Sequence, residues 1–224
     1  MGEVVGDIIP QAVGVAISPV PIIATILMLF TPRARTNAPA FAVGWVLALI
    51  VVGAIVLLVS DASDTASEET PSDIVFLIKV LIGLLFIFLA YRQWQSRPAE
   101  GEEPAMPGWM STIESFTPAK SFGLGALLAG VNPKNLGLTL AAAAAIGQAG
   151  LDGVDPWVVL IIFVVLGSLT IAGPVIYYLL AGASAERTLD TMKAWLVANN
   201  ATVMTVLFVV LGAKILGDGL GGLL

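Results

Sequence analysis

The chain contains no cysteine and no histidine among its 224 residues, and only 12% of them carry charge. Without cysteine there are no structural disulfides, no thiolate metal sites and no thiol–disulfide chemistry. Without histidine the commonest metal ligand and the side chain that titrates most readily near neutrality are both missing. Carboxylates are absent where they would matter most. Asp7, Asp73, Glu114 and Asp155 all fall near the ends of apolar runs, and none lies deep in one. A hard-oxygen path for divalent metals would need buried Asp or Glu, and so would the usual intramembrane proton relay. No nucleophile–base pair is legible either. The chain therefore reads as a non-enzyme, with no metal and no cofactor expected.

What is present is apolar sequence. Hydrophobic residues make up 58% of the chain, and its mean hydropathy is +0.96. Soluble domains average roughly 45–50% apolar and about 25% charged. The composition is that of an all-α, polytopic membrane protein. A span needs about 20 mainly apolar residues, and six such stretches are predicted, at 7–30, 38–60, 73–93, 118–147, 155–181 and 198–221. Met1-Gly2-Glu3 lacks a basic leader, and the first apolar run continues too far for a cleaved signal, so it is kept as a span. The organisation expected is one transmembrane domain over 1–224, with repeat one at 7–93, a cytoplasmic linker at 94–117 and repeat two at 118–221.

Basic residues orient the spans. Arg33 and Arg35 follow span one; Arg92, Arg97 and Lys120 flank the linker; Arg187 and Lys193 lie between spans five and six. The alternate loops carry Asp61, Asp64, Glu68, Glu69 and Asp152 and no basic residue. Both termini are thus predicted outside the cytoplasm. Trp94, Trp109, Trp157 and Trp195 sit near span ends, as interfacial anchoring expects. Within the linker, Trp109, Met110, Ile113 and Phe116 read either as a short amphipathic turn or as a plain loop. Lys79 and Lys214 lie toward outer ends and can snorkel, and Lys214 has Asp218 at i+4 for an ion pair.

Two interruptions stand out. Asn132-Pro133-Lys134-Asn135 lies roughly midway along span four, where a lysine costs about 2.5–3.5 kcal/mol or more by insertion scales. Ser18-Pro19-Val20-Pro21 interrupts span one at a similar depth. In each, an N-capping residue precedes a proline, which suits the first position of a helix. The pattern predicts two helices that break at mid-membrane and restart at Pro19 and Pro133. Two proline kinks are the plainer alternative. Three spans per half is an odd number, so the halves would face opposite ways, and broken helices in corresponding positions of an inverted repeat point to a transporter's binding site. Restarted helices direct positive dipole ends at the break, and Lys134 adds a full charge. An anionic ligand is expected, with Ser18, Asn132 and Asn135 as neutral partners. Ser168, Thr170, Gly173 and Pro174 in span five either line the same cavity or let helices pack closely. Gly123, Gly125, Gly130 and Gly137 make span four slim, as a central position would require.

Ala16-Ile17-Ser18-Pro19-Val20-Pro21-Ile22 and Asn132-Pro133-Lys134-Asn135-Leu136, with six spans and an acidic, Pro-rich central loop, resemble the GAP family. These are the peptidoglycolipid-addressing proteins, with the sulfolipid-addressing proteins, of the LysE exporter superfamily. The resemblance covers essentially the whole chain. It implies movement of an anionic glycolipid or peptidoglycolipid across the bacterial plasma membrane toward the envelope, with Ser18, Pro19, Pro21, Asn132, Pro133, Lys134 and Asn135 as substrate-binding positions. The partners expected are a lipid or glycolipid substrate and membrane lipids, and no nucleic acid. A homodimer, and association with glycolipid synthesis or export proteins, stay open. So do two other functions: export of amino acids or other small solutes, and a non-transporting scaffold for glycolipid export machinery.

Overall fold

The computed structural model describes residues 1–64, 73–97 and 108–221, and among these every regular element is helical. In order they are α1 (Gly2–Ala16), α2 (Pro19–Leu29), α3 (Ala34–Asp64), α4 (Asp73–Gln95), a 3-10 helix (Gly108–Ser115), α5 (Pro118–Gly130), α6 (Pro133–Gly147), α7 (Asp155–Ala181), a second 3-10 turn (Gly182–Ala185) and α8 (Glu186–Gly221). Among the described residues, three helices are long and apolar enough to cross a membrane alone: α3 over Ala34–Ser60, α7 and α8. The α1–α2 pair passes the same test as one span bent by 53°. Six spans are expected from the sequence, and three or four are what length and composition bear out. Span four is not counted among them: it divides at Pro133, as expected, into α5 and α6 of 13 and 15 residues, and neither alone reaches a spanning length.

Outward faces of the long helices are apolar at helical spacing. Val43, Leu47, Val51, Ile55 and Leu58 line one side of α3; Val158, Ile161, Val165, Leu169 and Ile176 line one side of α7. Water-soluble chains rarely leave patches of this extent uncovered, whereas a bilayer covers them without cost.

The chain divides into two compact units. The first takes in Met1–Thr65 and Met106–Leu196. Its most extensive contact runs between α3 and α5, and α1 lies along α6 and α7, with α3 also meeting α6 and α7. Lipid tails are as apolar as leucine, so membrane helices associate through close packing, which small residues permit. Gly44 and Gly125 supply it. A Cβ at Gly44 would run into the Phe122 carbonyl, and one at Gly125 into the Phe41 carbonyl. Gly130 faces Ala48, while Gly123 and Gly137 face open space. The slim side of span four is therefore the α3 side. Phe41, Trp45 and Leu49, four residues apart on α3, are fully buried, as are Ile8, Ala12 and Val15 on α1.

The second unit takes in Ala66–Ala105 and Val197–Leu224. Here α4 and the latter part of α8 pack closely: a Cβ at Gly83 would meet the Leu216 backbone, and Gly212 lies against the Gly83 carbonyl and Ile87. Phe86 and Phe208 meet edge to face, with ring centroids 5.5 Å apart. Arg97 stacks over the Trp94 ring. The expected Lys214–Asp218 pair is present at 3.1 Å on an exposed face, where it contributes little. The Lys79 side chain and linker residues 98–107 lie outside the described residues.

Two stretches differ from their expected form. Helix α8 begins at Glu186, twelve residues before the predicted span, because Ala185, Leu189 and Leu196 are buried while Arg187, Asp190 and Thr191 face out. The open choice in the linker resolves as a 3-10 helix whose Met110 and Ile113 are buried, and which packs against α2. Asn37 at the start of α3 fixes its far end by donating to the Phe116 carbonyl at 2.9 Å.

Candidate functional site at two helix breaks

At the first break α1 ends at Ala16 and α2 begins at Pro19, with Ser18 extended between them. A helix leaves its last four carbonyls without helical donors, and deep in an apolar bundle each needs a partner. All four have one. Val13 O accepts from the Ile17 amide at 2.8 Å, within the chain's own continuation. Gly14 O accepts from Lys134 Nζ at 2.6 Å. Val15 O accepts from Ser18 Oγ at 2.7 Å. Ala16 O accepts from Thr170 Oγ1 on α7 at 2.6 Å and from the Ser18 amide at 2.9 Å.

Lys134 is the centre of this arrangement. It is 7% exposed, and its ammonium donates to Gly14 O, to Ile17 O at 3.3 Å and to Ser18 Oγ at 2.6 Å. An ammonium has three donors and no acceptor, so its hydrogen-bonding capacity is filled. The contact also sets a cation against the negative end of the α1 dipole, where it is stabilising. Ser18 Oγ has one proton, which serves Val15 O or, at 3.1 Å, Asn135 Oδ1.

The second break is closed by its own residues. Asn132 caps α6 by accepting from the Lys134 amide at 3.1 Å, and Asn135 reaches back across the break to donate to the α5 carbonyl of Leu128 at 2.8 Å. Thr139 donates to the Asn135 carbonyl at 2.8 Å and anchors the first turn of α6.

Of the seven residues predicted from sequence, Ser18, Lys134 and Asn135 meet directly. Asn132 is one bond away through the cap. Pro19 and Pro21 are buried at the first and third positions of α2, and Pro133 is exposed at the first position of α6. Ser18 does not cap α2, although its type suits an N-cap. Pro21 removes one of the two amides a capping oxygen can use, and the Ser18 hydroxyl is engaged elsewhere, with α1 and Lys134. The same accounting limits the anion-binding capacity of the two restarted helices. Pro19, Pro21 and Pro133 lack donors and the Lys134 amide is capped. Among the first-turn N–H groups, Val20 and Asn135 keep theirs.

Thr170 is the residue whose part the sequence did not single out from its neighbours. Ser168 beside it is buried with no hydrogen-bond partner in the structure, Pro174 is buried, and Gly173 faces outward.

The fold and this site define a class: an all-helical membrane protein in which a buried lysine bridges two interrupted helices. Within that class the assignment is specific, since the family model described as Sap, sulfolipid-1-addressing protein, matches residues 8–221. The chain belongs to the sulfolipid-1-addressing protein family. No curated protein and no solved structure matches it.

Proposed function

We propose that this protein is a flippase-like transporter that moves an anionic glycolipid across the bacterial plasma membrane toward the envelope, and that Lys134 receives the anionic head. The family's name supports the substrate class, since a sulfolipid carries a negative head group. The observation that carries the reading is the convergence of Lys134, Ser18 and Asn135 on two helix breaks from opposite halves of the sequence.

The architecture proposed is six spans as two inverted halves of the LysE-superfamily type, each opening on a helix broken at mid-membrane, with both termini outside. Reciprocal packing supports it. The second span of the first half, α3, lies along α5 and α6; the second span of the second half, α7, lies along α1 and α2. Between the halves, the equivalent second spans α3 and α7 also meet, and the two broken helices meet through α1 and α6. A two-fold relation between halves demands this exchange of partners. Rocking one half against the other would withdraw α6 from the end of α1 and free the ammonium for substrate, as alternating access requires.

One feature favours a lipid over a small solute. The breaks border the apolar surface: Val131 is 63% and Ile17 40% exposed. A head group could reach Lys134 from the side while its tails stay in the bilayer. The test is transport of an anionic glycolipid into the outer leaflet of vesicles by wild-type protein and by Lys134→Ala. Loss of transport with folding and insertion intact is expected. Normal transport by the variant would sink the assignment.

A further inference from the structure

The atoms around Lys134 Nζ form a site in their own right. Gly14 O, Ile17 O and Ser18 Oγ surround it, all neutral oxygens, and Asn135 Oδ1 lies one hydrogen bond beyond Ser18. Two of the three are backbone carbonyls at the negative end of α1. They converge because the helix stops there, which is how interrupted membrane helices coordinate small cations. Rings of neutral carbonyl oxygens suit monovalent ions, whose hydration shell they replace. Ca²⁺ and Mg²⁺ sites rely on carboxylates, and none of these ligands is charged. The shell already holds a cation, the lysine's own ammonium, whose size is close to that of K⁺.

Resting on the transport reading above, we propose that this shell is a monovalent-cation site in which Lys134 is a tethered resident, and that Na⁺ or K⁺ occupies it when the ammonium leaves to pair with an anionic head group. An empty shell would leave the buried Gly14 O without a donor, which is unfavourable. A cation entering it restores the charge facing the α1 terminus. Substrate and cation then bind together, each favouring the state that accepts the other. Such coupling is reciprocal in the binding equilibria.

The experiment compares the thermal stability of full-length detergent-purified protein in LiCl, NaCl, KCl and choline chloride at equal ionic strength. Lys134→Ala vacates the shell. It is expected to melt below wild type in choline and to recover saturably, by about 5 °C, in NaCl or KCl at a hundredfold excess over the dissociation constant. Wild type should not distinguish the salts. Lys134→Ala with Ser18→Ala should lose the recovery, and Lys134→Met, whose chain refills the space, should never show it. Identical melting of Lys134→Ala in all four salts would overturn the site. If that variant does not fold, ²³Na relaxation on wild-type protein decides. Sodium binding should appear only when a sulfated lipid is added in the micelle, and its absence with lipid bound would overturn the proposal. The two readings fail separately. Salt-specific recovery of Lys134→Ala in a protein that moves no lipid leaves the cation site standing and removes the transport reading; transport without either cation effect does the reverse.

Discussion

The two helix breaks are built from similar residues and are held in opposite ways. The break at Asn132-Pro133 is self-sufficient: Asn132 caps α6 and Asn135 covers the end of α5, all within one stretch of chain. The break at Ser18-Pro19 is not. Two of its last four α1 carbonyls are covered by side chains from elsewhere, Lys134 and Thr170. Its own serine turns from α2 to Val15 O and Lys134. One break is thus a rigid element and the other depends on it. A mechanism that separates α6 from α1 would leave the second break intact and open the first.

The largest expected effect comes from Lys134→Ala. Transport should fall at least tenfold. Hydrogen exchange at the Ile17, Ser18 and Val20 amides should accelerate, while the amides around Leu136 keep their protection. Equal acceleration at both breaks would remove the asymmetry on which the comparison rests. Next is Gly125→Ala, which drives a Cβ toward the Phe41 carbonyl and should destabilise by about 1–3 kcal/mol, the usual range for overpacking. Gly137→Ala, where a Cβ meets nothing within 4 Å, is the matched control and should be near neutral. Melting in detergent reads both.

Ser18→Ala acts at the dependent break. It removes an acceptor from Lys134 and a donor from Val15 O, and an unpaired buried group costs about 1–3 kcal/mol. The loss should register at the first break alone. Ser18→Thr, which keeps the hydroxyl, should recover most of it; a thermal melt of the three proteins checks this.

Local rules made both breaks legible in the sequence. A proline within an apolar run, a capping residue before it and a lysine far from either end are visible without any knowledge of packing. What Lys134 touches was not. Its partners are carbonyls of Gly14 and Ile17, and a backbone oxygen has no residue identity to read. Thr170 is hidden for the same reason, since its bond to Ala16 O depends on α7 lying along α1. The start of α8 was readable in principle, as Leu189 and Leu196 are seven apart. Arg187 and Lys193, read as lying between spans five and six, suggested a loop instead. Span four does divide at the expected Pro133, into α5 and α6; the span count is what local chemistry left unread, because it depends on how short helices combine to cross a bilayer.

The smallest effect tests the self-sufficient break. Asn132→Ala removes the bond to the Lys134 amide and should cost about 1 kcal/mol, the usual value of an N-cap. Asn132→Ser retains a capping oxygen and should cost less. Because Asn135 still covers Leu128 O, α5 should keep its end, and the ammonium of Lys134 should stay on α1. Transport by Asn132→Ala should therefore remain within a few-fold of wild type, against the tenfold or greater loss for Lys134→Ala. If Asn132→Ala instead matched Lys134→Ala in transport at so modest a cost in stability, the cap would be positioning the ammonium. The first break would then depend on the geometry of the second and not only on its charge.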